Sequence, residues 1–286
     1  MLFYPERART FNSIGDEQKK YESNKLDYFM PYIPIIARLD GKAFHKFTKG
    51  LNRPLDSNLM ECIKQTTVEL CKYFQADFGY TQSDEITLIW LNPTPTKLMF
   101  NGKSEKYTSL LASVCTAHFN RLVQQYLPQK ASTMAFFDAR VFQVPNIQKA
   151  FENICWRQLD CIKNSISSYA YANFSPKSLI GKHSKDRKGM LFDKGIDWEA
   201  EPNENKYGIF VHKVSYIKEL DTINYSLANN DKIITLDNGI RGVYRNEYRV
   251  VASCNLKDVG KAFECFFVNA LFCEDPIKSD ENDYYT

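Results

Sequence analysis

The stretch Tyr32 to Leu39 (YIPIIARL) is a nearly continuous apolar run that halts at Asp40-Gly41, and it constrains the fold more than any other feature of the chain. A run this short, closed by a turn pair, suits a buried strand, because a helix needs ten or more residues to present a stripe. Downstream, Asp56 or Ser57 can cap a helix in which Leu59, Ile63, Leu70 and Phe74 recur at three, four or seven, up to about Gln75. Ala76 to Tyr80 and Glu85 to Leu91 are two runs of strand type joined by Thr81-Gln82-Ser83-Asp84, a hairpin pattern. Asn92-Pro93-Thr94-Pro95-Thr96 breaks it. A second amphipathic helix is predicted from Ser104 to Tyr126 on Leu111, Cys115, His118, Leu122 and Tyr126, and Thr133 to Val144 reads as a further strand. On that stripe His118 is expected to be a core histidine.

The order strand, helix, strand, strand, helix, strand is that of a ferredoxin-like α+β fold, with an antiparallel sheet and helices on one face. Right-handed crossovers place the first strand in the middle of the sheet, antiparallel to the third. Asp40 is therefore expected to meet Asp84 and Glu85 across neighbouring strand ends. Beyond Pro145 a long helix is predicted from Asn146 to about Phe174, then a basic loop from Gly181 to Gly189, then a β region from Tyr207 to Tyr216. Ile217 to Leu236 is mixed, Arg241 to Ser253 reads as a strand or edge hairpin, and Val259 to Phe272 is apolar at helical spacing.

Carboxylates at adjacent strand ends, beside a glycine carbonyl, form an oxygen-ligand set that suits Mg²⁺, with substrate phosphates completing the shell. Two such ions could activate an attacking oxygen and stabilise a leaving one. Solvated turns are the alternative reading of the same residues. Arg38, Lys42, Lys46, Lys49 and Arg53 surround Asp40 in sequence, and Lys182, Lys185, Arg187 and Lys188 lie between two glycines. Both groups could grip a triphosphate or an RNA backbone, and both could equally be solvated surface.

The formal net charge of +3 is too small to mark a nucleic-acid binder by bulk charge, but Glu274 to Thr286 carries five acidic residues against one basic and leaves the rest of the chain at about +7. The eight cysteines form no Cys-x-x-Cys pair, which speaks against zinc and for free thiols acting as small apolar groups. No apolar window is long enough to span a membrane, and the opening MLFYPERARTFNS lacks the pattern of a secretory signal. A cytoplasmic location is expected.

Four motifs then carry a family resemblance. Arg38-Leu39-Asp40-Gly41-Lys42-Ala43-Phe44-His45, Ser83-Asp84-Glu85, Phe137-Asp138-Ala139-Arg140 and Trp156-Arg157-Gln158-Leu159-Asp160-Cys161 resemble, in order and spacing, the tRNA-His guanylyltransferase family. The resemblance spans about Ile33 to Ser168 and continues more weakly to about Val214. It implies a polymerase-type palm that adds nucleotides to the 5′ end of tRNA in the 3′–5′ direction. In such enzymes ATP or GTP activates a 5′-monophosphate end, which the 3′-hydroxyl of an incoming nucleotide then attacks.

By resemblance, Asp40 and Asp84 are the carboxylates for two Mg²⁺ ions, Gly41 lends a carbonyl and Glu85 supports the site. Lys42, Ala43, Phe44, His45, Arg53 and Ser83 fall at nucleotide-contacting positions, with Arg53-Pro54 standing where the family has Lys-Pro. Arg38, Arg140, Arg157, Asn164, Lys182, Lys185, Arg187 and Lys188 are expected to contact triphosphate or RNA. Residues 1–145 would form the palm-like core, 146–215 would complete the catalytic domain, and 216–286 would be an α/β extension. Relatives assemble as tetramers, so a homo-oligomer is expected.

One departure bears on specificity. Family members that add the extra guanosine to tRNA-His carry His-Ile-Asn-Asn-Leu-Tyr-Asn after the Trp-Arg-Gln motif, whereas Ile162-Lys163-Asn164-Ser165-Ile166-Ser167-Ser168 stands here. This looks like the bacterial-type relatives that repair 5′-truncated tRNAs against the opposite strand. Strict tRNA-His guanylylation is the alternative, and a palm-type nucleotide cyclase acting without RNA is a further one. An RNA-recognition module shares the strand order, but it stacks bases on central-strand aromatics, and Ile33 to Asp40 offers none.

Overall fold

The structure, a computed structural model, describes residues 11–23, 28–219, 233–235, 241–251 and 253–256. Its helices are α1 (Phe11–Ser23), the single turn α2 (Phe44–Phe47), α3 (Ser57–Phe74), α4 (Ser104–Tyr126), α5 (Ile147–Asn173), α6 (Ser184–Asp193) and the short α7 (Asn203–Tyr207). The strands are β1 (Ile35–Gly41), β2 (Phe78–Gln82), β3 (Glu85–Trp90), β4 (Phe137–Gln143), β5 (Ile209–Glu219), β6 (Ile233–Thr235) and β7 (Arg241–Val251). They form one antiparallel sheet in the order β4-β1-β3-β2-β5-β7-β6.

The first four strands follow the order expected of the ferredoxin-like unit, with β1 between β4 and β3. Asp56 caps α3 by accepting the amides of Asn58 and Leu59, each at 3.1 Å, and the helix buries Cys62, Ile63, Leu70, Cys71 and Phe74. Gly79 lets α3 approach β2 closely, since a Cβ there would lie 2.5 Å from the Cys71 sulfur. With α4, the helix α3 covers the face of β1 and β3 that presents Ile35, Ala37, Leu39, Ile86 and Leu88.

Helices cover the second face too, which corrects the expectation of a one-sided sheet. The opposite face presents Ile36, Phe78, Tyr80, Ile89, Phe142 and Phe210 to Ala150 and Ile154 of α5, while α1 packs on α5 through the buried Gln18–Asn153 pair. The strands therefore read as continuous apolar runs because both faces are buried. Behind that layer, Ile166 and Tyr169 of α5 meet Leu191 of α6 and Trp198 in a small third cluster.

Two further expectations change. His118 is only half-buried, with its Nδ1 3.2 Å from Arg121, and Phe119 fills the core position instead. The basic stretch expected as a loop is helical from Ser184, because the Asp186 carboxylate accepts the His183 amide at 2.9 Å and closes the first turn. The six cysteines described, Cys62, Cys71, Cys115, Cys155, Cys161 and Cys254, are free thiols. Val259 to Phe272, the acidic tail, Cys265 and Cys273 lie outside the described residues. Among the described residues no helix is long and apolar enough to cross a membrane.

Candidate active site

The ends of β1, β3 and β4 converge as the topology requires. Asp40 is the register partner of Glu85 on one side and of Asp138 on the other, while Asp84 occupies the turn between β2 and β3. That turn is tight. Ser83 adopts a left-handed φ of 52°, and its hydroxyl donates to Asp84 Oδ1 at 3.1 Å.

Gly41 is a spatial requirement of this cluster. A Cβ at this position would lie 2.9 Å from Asp84 Oδ2 and 2.4 Å from Phe44 Cδ2, so only glycine lets the Asp84 carboxylate pack against the β1 backbone. Phe44 itself is buried among Phe47, Phe119 and Phe137. Its ring is thus a wedge under Gly41, which leaves the backbone of Phe44, and not its side chain, for the expected nucleotide contact. Lys42, Ala43 and His45 are exposed on the segment following β1.

The electrostatics are those of anionic groups short of compensation. Burial, then the Asp40 charge, push the Asp84 carboxyl up to about 6. Asp40 is raised by burial and by Asp138, against the pull of Arg38 and Arg140. Both shifts express the cost of holding carboxylates together in a partly dry place. A cation offsets that cost, and two carboxylates beside a glycine backbone are the donor set of a hard, oxygen-seeking ion. Among the described residues no three His, Cys, Asp or Glu side chains lie close enough to cage one ion. An ion held here would complete its shell from water and substrate phosphates.

Glu85 is held differently. Its Oε1 accepts Arg157 Nε at 2.6 Å, and Arg157 Nη2 donates to Asp160 Oδ2 at 2.7 Å. Burial raises the Glu85 carboxyl and the guanidinium of Arg157 opposes the rise. The Arg157 guanidinium lies 4.3 Å from the Trp156 ring centre, and that of Arg38 lies 5.9 Å from it. With its side chain 6% exposed, Arg157 is a buried strut for Glu85, which corrects the expectation that it contacts triphosphate or RNA. Arg38 is half-buried, and Arg140 is exposed opposite it across β1 and β4.

Beside the carboxylates opens a cavity of about 450 Å³ between the 48–60 segment, the β2–β3 turn, α5 and α7. Ser83 and Arg53, both exposed, line it together with Asn164 of α5. Sequence reasoning missed Gln82, Asn52 and Tyr171 on the same wall, because they belong to three separate segments with no shared periodicity. Asp56 also lines the cavity, but its carboxylate is occupied by the amides of Asn52, Asn58 and Leu59.

The basic residues of 182–188 divide. Lys182 and Lys185 are exposed, whereas Arg187 donates to Ser167 Oγ at 2.7 Å and lies over Tyr171, and Lys188 pairs with Glu199 over Trp198. Arg187 and Lys188 thus brace α6 against its neighbours. Only the first two stand clear on the surface.

A palm-like sheet end carrying paired carboxylates, next to a nucleotide-sized cavity lined by Ser83 and Arg53, defines a metal-dependent nucleotidyltransferase. The sequence profile described as tRNAHis guanylyltransferase (Thg1) matches residues 15–145. The chain is 30% identical over 249 residues to an uncharacterized protein of Acanthamoeba polyphaga mimivirus, covering 78% of this chain and 84% of that one. It is 26% identical over 230 residues to the tRNA(His) guanylyltransferase of Saccharomyces cerevisiae, covering 74% and 95%. It is also similar to a bacterial Thg1-like protein solved in complex with ATP, at a TM-score of 0.66 and 28% identity, covering 88% of this chain and 98% of that one. The chain belongs to the tRNAHis guanylyltransferase family.

Proposed function

We propose that this protein adds nucleotides to the 5′ ends of tRNA in the 3′–5′ direction, and that its task is template-directed repair of 5′-truncated tRNA. The observation that carries this reading is the meeting of Asp40 and Asp84 at adjoining strand ends, with Ser83, the chain neighbour of Asp84, lining the cavity together with Arg53 and Asn164. Arg53 and Ser83 would hold the activating nucleoside triphosphate, ATP or GTP, with the backbone of Lys42, Ala43 and His45 facing its phosphates. Arg38 and Arg140 would neutralise phosphate charge, and Lys182 and Lys185 would bind the RNA backbone.

Two Mg²⁺ ions on Asp40, Asp84 and the Gly41 carbonyl would supply Lewis-acid stabilisation of phosphate charge and a lowered pKa for an attacking hydroxyl. The residues present fit them: the donors are hard oxygens, and glycine leaves room for the carboxylate. In the activation step an oxygen of the RNA 5′-phosphate bonds to the α-phosphorus of ATP and pyrophosphate leaves. In the transfer step the 3′-hydroxyl of the incoming nucleotide bonds to the activated 5′-phosphorus and AMP leaves. Glu85, fixed by Arg157, keeps the end of β3 in register through both steps.

Specificity would reside in α5. Asn164, Ser165 and Ser168 face the cavity, and they lie in the segment that replaces His-Ile-Asn-Asn-Leu-Tyr-Asn. Small hydroxyl and amide groups there suit a site that accepts whichever nucleotide the opposite strand dictates. The similarity to the yeast tRNA(His) guanylyltransferase favours the second reading, addition of one guanosine to tRNA-His. We place the catalytic unit in residues 1–215, with 216–286 as an extension and a tetramer as the working assembly.

One experiment separates the readings. Purified protein is offered tRNA-His and a set of tRNAs lacking one or two 5′ nucleotides, with each nucleoside triphosphate in turn. Repair predicts incorporation of the base complementary to the opposite strand in every truncated tRNA. Addition of guanosine alone, to tRNA-His alone, refutes it. Asp40→Ala and Asp84→Ala should each abolish transfer while the protein stays folded, and a cyclic nucleotide formed without RNA would favour the cyclase.

A further inference from the structure

We propose that Asp138, on the edge strand β4, is a positioning residue of the cation site, orienting the water shell of the ion held by Asp40 and Asp84. The inference rests on the assignment of those two carboxylates to a cation. Its starting point is a pair of rungs between β1 and β4 that ordinary sheet packing disfavours. Asp40 stands opposite Asp138, and two residues along Arg38 stands opposite Arg140, both rungs on the face that carries α5. Like charges directly opposite destabilise a sheet, and exchanging Asp138 with Arg140 would turn both rungs into attractive pairs.

The arrangement is instead sorted by sign. The aspartate rung lies at the strand ends next to the Asp84 turn, and the arginine rung lies about 7 Å further along, at two residues of strand rise. A cation over the first rung and a phosphate over the second would satisfy both, and neither ligand alone would.

Asp138 has the freedom for such a role. Its side chain is 56% exposed, and it pairs with Arg140 Nη2 at 3.8 Å, a loose ion pair that leaves carboxylate lone pairs available. It does not join Asp40 and Asp84 in a three-carboxylate cage. Magnesium, however, retains several waters, and those waters need acceptors. An outer carboxylate that receives their hydrogens commonly changes metal affinity by 10- to 100-fold. That Asp138 is the largest charged contributor to the raised Asp40 carboxyl supports the same proximity.

The test titrates the full chain with Mn²⁺ alone, without nucleotide or RNA, by the loss of the free-ion electron paramagnetic resonance signal. Asp138→Asn should weaken binding about tenfold, Asp138→Glu should restore it to near the wild-type value, and the exposed, remote Asp193→Asn should leave it unchanged. In transfer assays the Mg²⁺ concentration for half-maximal rate should rise by a similar factor for Asp138→Asn, with the rate at saturating Mg²⁺ largely retained. If Asp138→Asn binds Mn²⁺ like wild type while Asp40→Asn does not, this proposal fails and the cation site stands. If Asp40→Asn also binds like wild type, both fail. Equal weakening by Asp193→Asn would reduce the effect to bulk charge and overturn the role of Asp138.

Discussion

Replacing Asp84 with asparagine should make the metal-free protein more stable while destroying its activity. In the folded chain the Asp84 carboxyl is pushed from its ordinary 3.8 to about 6, by burial and by Asp40. A difference of about 2 pKa units corresponds to roughly 3 kcal/mol, at 1.36 kcal/mol per unit. Because the folded value lies above the unfolded one, the favourable contribution of the protonated group is fully present below about 3.8 and lost as pH rises through about 6. At pH 7.5 the carboxylate therefore burdens the fold, and Asp84→Asn removes the burden while keeping an oxygen that can accept from the Ser83 hydroxyl.

The assay is thermal unfolding in EDTA against unfolding in saturating Mn²⁺. In EDTA at pH 7.5 the variant should melt about 3 to 5 °C above wild type, from a gain of roughly 2 to 3 kcal/mol in a chain of this size. The gap should narrow as pH falls below about 6 and close only near 3.8. Mn²⁺ should raise the wild-type midpoint and leave the variant unmoved, because only a species that binds the folded state stabilises it. A variant that melts below wild type in EDTA, or a gap independent of pH, would refute the electrostatic account of the site.

Three further outcomes follow from the same geometry. Arg157→Met leaves Glu85 charged and buried without its partner, so it should cost about 3 to 5 kcal/mol in denaturant unfolding, with a double-mutant cycle against Glu85→Gln showing strong coupling; a stable Arg157→Met that merely loses RNA affinity would return the arginine to an RNA-contacting role. Gly41→Ala places a methyl against Phe44 and Asp84 Oδ2 and should cost about 1 to 3 kcal/mol together with most of the Mn²⁺ affinity, measured by unfolding and by metal titration. Burial lowers His212 from 6.5 to about 4, so the stability it lends is complete above about 6.5 and is lost as pH falls to about 4, to a limit of roughly 3 kcal/mol; His212→Gln should flatten that part of the pH–stability curve.

What the sequence revealed depended on whether the determinant was local. The apolar run before Asp40, the Asp56 cap and the turn at Ser83-Asp84 are set by neighbours in the chain, and with the crossover rule they place Asp40 against Glu85. The fates of Phe44, Arg157, Arg187 and Lys188 are set by docking. Motif position marks Arg157 as important, but only the packing of α5 on the sheet decides that its guanidinium turns inward to Glu85. His118 and Phe119 are adjacent on one helix, and a rotation of one position along α4 chooses which enters the core. The second helical layer was similarly hidden, because a strand buried on both faces does not announce what covers it.

This division has a mechanistic consequence. Asp40, Gly41 and Asp84 are fixed by strand register and a tight turn, whereas the far wall of the cavity, Asn164, Ser165 and Ser168, is carried by α5 and braced from behind by Trp198, whose Nε1 donates to Ser165 Oγ at 3.0 Å. The carboxylates can therefore stay in place while α5 varies, and substrate choice can change without disturbing the chemistry. Substitutions on the cavity side of α5 should shift which nucleotide or tRNA is accepted and leave Mn²⁺ binding intact. Substitutions at Gly41 or Arg157 should impair every substrate alike, because they disturb the sheet end on which both steps depend.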